Sequence, residues 1–436
     1  MHPRRKLKLP THIDTIEYPG TPRGPLSTDD TELCTGIRPT SVESQAIMTE
    51  QTGKDDPTRF RIRILESIDE IPARDWNAML RDGYPFLRHD FLAALERNHC
   101  VGHRVGWIPR HLCLYDRDRL AAAMPLYEKH NSWGEFVFDH AWADAYRRHG
   151  LEYYPKLVNA IPFTPVTGQR VLACPQDDTR YIPILLDSAR SVLDGCGYSS
   201  LHCLFPDRID RTRLDLDDTL VRNDCHFQWH NRGYESFENF LGELKSRKRK
   251  NIRQERRKVA QSGVSIRWLS GREAREADWR DFVDVYTRIY ERKYGMPAFN
   301  LGFFLDIAQA MPDQILLALA DCDKAVVAGA LLFRDEKALY GRIWGSRLKV
   351  DCLHFELCYY TGIEYCIRED LSRFDPGVQG EHKIARGFVP TQTHSLHWIA
   401  NQPFRHAIRQ FLDHEERGIR HYMDEIERHS AYGARS

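Results

Sequence analysis

Hydrophobic and polar positions first fall into register at Phe60. Phe60, Ile62 and Ile64 alternate with Arg61 and Arg63, a period of two that predicts a half-buried strand. Helical spacing follows around Asp75 to Leu80 and His89 to Asn98. A hairpin comes next: His111–Tyr115, a charged turn at Asp116–Arg119, then Leu120–Tyr127. The same arrangement returns in the second half of the chain, with Ile315–Ala320, a turn at Asp321–Lys324, Ala325–Phe333, a second turn and Ala338–Trp344. Between the two units, Tyr181–Leu193 reads as helix and Ser199–Phe205 and Phe227–Asn231 as strands. Phe404, Ile408, Phe411, Leu412, Ile419, Tyr422, Met423 and Ile426 give residues 403–428 one apolar helical face.

These patterns predict an α/β chain with a duplicated unit: a first domain over 58–232, a second over 233–402, and a C-terminal helix over 403–436 packing back on the body. Residues 1–57 carry repeated prolines among Thr, Asp and Ser and few aromatics, the composition of a disordered tail.

Composition narrows the class. With 42% hydrophobic and 28% charged residues, the chain can build a sizeable core. Its 62 basic and 62 acidic residues cancel, so no global field holds it on nucleic acid or a membrane, and any polyanion site is local. The 11 cysteines form no C-x-x-C pair and sit in apolar stretches, which predicts reduced thiols and a cytoplasmic protein. No apolar run reaches membrane-spanning length.

One stretch departs from the neutral average. Between Lys245 and Lys258, nine of fourteen residues are basic and only Glu255 is acidic. Ser236 can cap a helix here, Phe237, Phe240, Leu241, Leu244, Ile252 and Val259 give it an apolar stripe, and Gly263 can end it. Like charges crowded on the other faces predict a site for a phosphate-bearing ligand, with Lys245, Arg247, Lys248, Arg249, Lys250 and Arg253 as candidate contacts. A solvated face paired with acidic neighbours is the competing reading.

Two further segments could carry chemistry. Gln379-Gly-Glu-His-Lys383 continues into Ile-Ala-Arg386-Gly387, a glycine-flanked loop in which Glu381 or His382 could accept a proton while Lys383 and Arg386 neutralise charge. A surface turn fits the same residues. Tyr153, Tyr154, Lys156, Thr164 and Thr167 stand in a proline-rich stretch ending at Gly168, which suits the wall of a binding groove or a packed aromatic loop. His354 and Cys358 share a helical face as a buried pair, and neither His99, Cys100 and His103 nor Cys225, His226 and His230 has the second cluster a structural zinc needs. No metal is expected.

Phe86-Leu-Arg-His-Asp-Phe-Leu92, Gly106-Trp-Ile-Pro-Arg-His-Leu112, Tyr153-Tyr-Pro-Lys-Leu, Pro162-Phe-Thr-Pro-Val-Thr-Gly168, Ser246-Arg-Lys-Arg-Lys-Asn-Ile-Arg253, Leu353-His-Phe-Glu-Leu-Cys-Tyr-Tyr360 and Gly380-Glu-His-Lys383 together resemble the FemAB-like family of the GNAT acyltransferase superfamily. The resemblance spans roughly residues 60 to 430 and implies two tandem GNAT-type domains with mixed sheets flanked by helices. It also implies transfer of an aminoacyl group from aminoacyl-tRNA, or an acyl group from acyl-CoA, to an amine, with the donor as co-substrate and no resident cofactor. The usual GNAT pyrophosphate loop, R/Q-x-x-G-x-G/A, has no copy here: Arg342-Ile-Trp-Gly345 is followed by Ser346 and Arg347. Lys383-Ile-Ala-Arg-Gly387 resembles the lysine stretch near the acceptor site of the Fem enzymes, with Arg386 where an aromatic stands in the family.

The expected partners are a phosphate-bearing small-molecule substrate and tRNA, without a membrane span. In the expected mechanism Glu381 or His382 takes the proton, Lys383 stabilises the oxyanion, the basic helix holds phosphate, and the Tyr153–Gly168 stretch lines the acceptor groove. A non-catalytic module holding RNA or a nucleotide-linked sugar on the same scaffold is the alternative.

Overall fold

The structure is a computed structural model that describes residues 59–174, 178–216, 218–294, 296–378 and 380–433. The expected tail over 1–57, and Gln379 of the glycine-flanked loop, lie outside the described residues.

The strands of the first half are β1 (Phe60–Leu65), β2 (Trp107–Pro109), β3 (His111–Asp116), β4 (Arg119–Met124), β5 (Tyr127–Lys129), β6 (Lys156–Asn159), β7 (Leu172–Ala173), β8 (Ser200–Leu204) and β9 (Leu220–His230). The second half adds β10 (Ser265–Ser270), β11 (Ile315–Cys322), β12 (Ala325–Arg334), β13 (Ala338–Ser346), β14 (Arg373–Asp375) and β15 (Val389–Ile399). A small sheet runs β1-β3-β4-β7, and a large one runs β10-β11-β12-β13-β14-β9-β15-β8-β6-β5-β2.

Each half repeats one order. A strand (β1 or β10) leads through two helices, 73–77 and 89–97 or 276–294 and 301–310, to an antiparallel hairpin (β3-β4 or β11-β12). Further on, a helix joins a parallel pair, β6 with β8 and β13 with β14. Antiparallel ladders with one parallel pair per half, flanked by helices, make this the tandem GNAT-type α/β fold that the sequence resembled.

The halves exchange their last strands. β9 closes the first half but pairs with β14 of the second, Phe374 opposite Trp229, while β15 closes the second half and pairs with β8 from Ser395↔Leu204 to Ile399↔Ser200. β9 and β15 then pair with each other from Val389↔Gln228 to His397↔Leu220. The sheet therefore runs unbroken across the 232/233 boundary.

Several elements differ from the pattern-based expectation for local reasons. Leu120–Tyr127 is not one strand: Pro125 has no N–H for a ladder, and the chain leaves β4 in the small sheet for β5 in the large one. β9 begins at Leu220, because Arg222, Asn223 and Asp224 pair with β15 although their side chains show no apolar alternation. The basic helix does not run unbroken from Ser236. It splits into Phe237–Gly242 and Ser246–Ala260, since Leu244 bridges to Tyr432 and the Lys245 N–H donates to the Ala431 carbonyl. Residues far away in sequence break it. The C-terminal helix, Gln402–Arg428, is capped by the Asn401 side chain and buries Ile408 and Leu412 beside Trp142, Leu220 and Ile399.

One apolar core spans both halves. Phe86 of the first half lies 4.9 Å from the ring of Phe333 and 5.4 Å from that of Tyr340, and Phe91 meets Phe303 at 5.5 Å. Because rings of both halves fill one another's space, the halves are expected to unfold together. Phe86→Ala, at a position 0% exposed, should cost about 3–5 kcal/mol. Urea denaturation followed by tryptophan fluorescence should show one transition moved to lower urea, whereas two separated transitions would show that the halves are energetically independent.

Candidate active site

β13 and β14 run side by side only from Ala338↔Arg373 to Tyr340↔Asp375, then part. Pro376 ends β14 by offering no N–H. β13 continues to Ser346, and its register against β12 slips between Leu331↔Ile343 and Leu332↔Gly341, leaving Arg342 as an extra, bulged residue. A Cβ on Gly341 would come within 3.3 Å of the Pro376 backbone, so glycine sets how closely the strands meet before they separate. The opening is a narrow cleft of about 70 Å³, lined among others by Arg342, Trp344, His354, Cys358 and Pro376.

Polar side chains from three strands and one turn converge beside this cleft. Asp375 ends β14, and its carboxylate accepts from Gln228 Nε2 on β9 at 3.3 Å and from the Gly377 N–H at 3.0 Å. Lys383, on the short 3-10 turn Glu381–Arg386, donates its ammonium to the Gly377 carbonyl. Arg342 donates to the Phe163 carbonyl of the first half at 2.8 Å. His226 lies two residues before Gln228 on the same face, with its ring 5.4 Å from Phe205, and its Nε2 is buried without a partner. Asp375 and His226 are each 2% exposed and Lys383 1%.

Burial sets the electrostatics. It pulls the Lys383 ammonium down to about 8 against the opposing pull of Asp375. It also holds the His226 imidazole below its ordinary value, more strongly than Asp375 raises it, and the Lys383 and Arg342 cations add to the lowering. At neutral pH the site thus combines a neutral imidazole, two cations and one carboxylate. Cys358 is no thiolate, because burial pushes its thiol far up.

The helix behind the cleft contains a π-turn over Glu356–Tyr360. One added residue of this kind recurs near functional sites. His354, two residues before it, and Cys358 within it both line the cleft, so the pair expected to be merely structural faces the opening.

The expected site residues fall into three places. Lys383 is buried beside the cleft, near Asp375 and Cys358, without lining it. Thr164 and Thr167 lie on the loop whose Phe163 carbonyl holds Arg342, and Thr167 Oγ1 is a buried hydroxyl without a partner. Glu381 is exposed and accepts from Tyr422 at 2.9 Å, while exposed His382 meets the Tyr359 hydroxyl at 2.8 Å and is pushed down to about 4 by burial and by Arg386. Neither is among the residues lining the cleft.

Tyr153, Tyr154 and Lys156 belong to a separate buried cluster of the first half. Lys156 bonds Glu135 at 2.8 Å and also Asp139, Tyr153 donates to Asp139 at 2.5 Å, and Tyr154 meets Ser132 at 2.7 Å. These residues knit β6 to the segment before the helix His140–Arg148.

The basic helix divides by face. Glu255, its only acid, turns inward to pair with Arg386 at 2.7 Å and accepts from the Tyr360 hydroxyl, and Arg256 grips Glu356 and Glu364. Arg386 is thus committed within the fold, with its guanidinium 3.5 Å over the Phe355 ring. Lys245 donates to the Ser430 carbonyl, Arg249 to carbonyls at the end of the preceding helix, and Arg253 to Glu238. Among the described residues, Arg247, Lys248, Lys250 and also Arg257, which the sequence reading did not single out, have no acidic partner.

The matching opening in the first half is filled. Beyond Asn159↔Cys203, where β6 and β8 end their pairing, Gly168 bridges to Pro206 and Arg170 Nε donates to the Leu204 carbonyl at 2.7 Å. Gly168 is required there, since a Cβ would lie 2.2 Å from the Tyr84 ring. One open cleft and one closed one make the tandem asymmetric. Among the described residues no His, Cys, Asp and Glu group could hold a metal, and no helix is long and apolar enough to cross a membrane.

Fold and cleft together define a tandem GNAT-type protein whose open cleft lies in its second half. The family model FemAB-like, described as peptidoglycan biosynthesis/recognition, matches residues 67–434, and the chain belongs to that family. No curated protein sequence matches it. Among solved structures it is similar to FemX, with 12% identity, 78% of this chain and 98% of that chain covered and a TM-score of 0.47. It is also similar to a tandem GNAT protein of the clavulanic acid biosynthesis pathway (11%, 78% and 99%, 0.40) and to L-PGS from Bacillus licheniformis (12%, 72% and 91%, 0.42).

The split of the basic helix is directly testable. Arg386→Ala removes one partner of a largely buried pair and should lower stability by about 3–5 kcal/mol. Arg247→Ala and Lys250→Ala should each stay within about 0.5 kcal/mol of the parent. Urea midpoints of the three variants measure this, and equal losses would mean that the exposed stripe is structural.

Proposed function

We propose that the protein transfers an aminoacyl or acyl group from an activated donor to an amine, at the cleft between β13 and β14. The observation that carries the reading is the gathering of buried His226, Asp375 and Lys383 beside the cleft that Arg342 lines. The amine nitrogen attacks the donor carbonyl carbon, forming the C–N bond. His226 Nε2, unpartnered and neutral, takes the proton the nitrogen sheds, and this is why Glu381 and His382 are set aside as its acceptors. Lys383 faces the tetrahedral oxyanion. Collapse breaks the C–O or C–S bond, and the leaving oxygen or sulfur receives the proton from His226.

Aminoacyl-tRNA is favoured over acyl-CoA as donor. Where a GNAT loop would offer free backbone N–H groups to pyrophosphate, the Arg347 N–H donates to the Val327 carbonyl at 2.8 Å and the Arg347 side chain is tied to Asp284. The unpaired Arg247, Lys248, Lys250 and Arg257 would take the phosphates of the donor instead. The family's description supports a peptidoglycan precursor as the acceptor class, and the reaction would take place in the cytoplasm. Purified protein should pass label from charged tRNA to an amine and not from acetyl-CoA. Transfer from acetyl-CoA alone would reverse the donor. Transfer from neither, with unchanged tRNA binding by Lys383→Ala, would favour a non-catalytic RNA-binding module.

The pH dependence follows from the two shifted groups. His226 works as the free base, and its depressed pKa keeps that form down to pH values below the ordinary histidine range; the rate should fall only there, on the acid side. Lys383 works as the cation, so the rate should fall as pH rises through about 8. At saturating amine the single-turnover rate should show that plateau. Lys383→Arg should extend the alkaline limb, and Lys383→Ala should cost roughly 100- to 1,000-fold in rate. An alkaline limb that does not move in Lys383→Arg would remove Lys383 from this role.

A further inference from the structure

Among the described residues, the buried cations of the first half are each held by a carboxylate or by several carbonyls. Lys129 and Lys156 stand with Glu135 and Asp139, and Arg81 with Asp207 and Asp210, while the buried Arg170 guanidinium is held by three carbonyls, those of Leu204, Gln169 and Val166. The cleft of the second half does not balance. Arg342 lines it and Lys383 is buried beside it, with Asp375 as the carboxylate near both, and the oxygens of Asp375 are already engaged by Gln228 and Gly377. The neighbouring Arg373 and Asp335 offset each other through the Tyr340 hydroxyl, and Asp224, which also acts on His226, is exposed to water. The enclosed site is short of one negative charge. Arg170 offsets the cost of a buried cation with three carbonyls, whereas Arg342 has the Phe163 carbonyl, and the rest of its fork faces a cleft open to a ligand's negative charge.

We infer that the acceptor carries a carboxylate near its amine, and that Arg342 binds it. This rests on the transfer reading above and adds the acceptor's chemical class to it. The planar guanidinium spends one nitrogen on the Phe163 carbonyl and keeps the rest of its fork for a ligand in the cleft. A carboxylate brings the one charge that is missing, whereas a phosphomonoester brings nearly two. The cleft, about 70 Å³, also suits a small planar anion. The unpartnered His226 Nε2 and Thr167 Oγ1 are then positions for the amine and for a further polar group of the same ligand. Charge stays balanced as the reaction proceeds. Before attack, two cations face Asp375 and the bound carboxylate. In the tetrahedral intermediate the added oxyanion is matched by the proton that His226 has taken up. An amine without a carboxylate leaves one cation unmatched in both states.

L-Lysine and cadaverine, which differ by one carboxylate, separate the possibilities. Their binding to the full-length protein is measured by calorimetry and their turnover with charged tRNA by label transfer. L-Lysine should bind and react about 10- to 100-fold better in kcat/KM. Arg342→Met should collapse that ratio toward one, and Arg342→Lys, which keeps the charge but loses the fork, should leave an intermediate ratio. Equal binding of the two ligands by the parent protein overturns the inference, as does a full preference retained by Arg342→Met. Preferred binding of L-lysine with no turnover of either ligand upholds the carboxylate site and defeats the transfer reading. Should Arg342→Met fail to fold, the parent ratio and Arg342→Lys decide alone.

Discussion

The ladder between β9 and β15 is the constraint on which the rest depends. Each strand closes its own half only by completing the other's sheet, and their mutual pairing from Val389↔Gln228 to His397↔Leu220 fixes the register in which the halves meet. Backbone bonds of this kind contribute about 1 kcal/mol each net. Their larger effect is positional. A slip of one residue would turn Gln228 and His226 to the opposite face and leave Asp375 without its partner. The site is therefore a product of the exchange: β9 supplies His226 and Gln228, β14 supplies Asp375, β13 supplies Arg342, and the turn before β15 supplies Lys383.

Given that register, the chemistry follows from where the strands fail to pair. Parallel strands that continued together would bury their backbone groups in a ladder and leave no room for substrate. Pro376 and the bulge at Arg342 end that pairing after three residues. In the first half the same junction is occupied by Gly168 and Arg170. Duplication thus produced two scaffolds, and the chain spends one of them on stability: the 162–168 loop that fills the first opening is the same loop that steadies Arg342 over the second.

Much of this was legible in the sequence, and the part that was not has a physical cause. Apolar runs such as Ile315–Ala320 and Ala325–Phe333 form buried strands within a residue or two of their expected bounds. Lys383 was legible because glycines flank it in a charged loop. Asp375, Arg342 and His226 were not. Each sits on a strand whose local pattern looks ordinary, and only tertiary pairing brings them together; Arg342 was noticed as part of a failed loop motif and His226 as part of a rejected metal cluster. Lys156 misled in the opposite direction. Beside tyrosines and prolines it looks like a ligand contact, yet Glu135 and Asp139, upstream of it in an unpatterned segment, already neutralise it. Ion pairs between distant segments leave no periodic trace.

The basic helix shows how one element can serve both anion and cleft. Its exposed stripe and its inward acid are consequences of a single 3.6-residue period. Ile252 and Val259 bury the apolar side, and Glu255 and Arg256, flanking that side, reach Arg386, Glu356 and Glu364. Arg386 belongs to the turn that carries Lys383, and Glu356 opens the π-turn that carries Cys358 into the cleft. An anion gathered on the exposed face would lessen the repulsion among Arg247, Lys248, Lys250 and Arg257 and so favour the intact helix. The intact helix holds Glu255 against Arg386. The exposed basic face of the helix and the position of Lys383 are thereby linked through one ion pair.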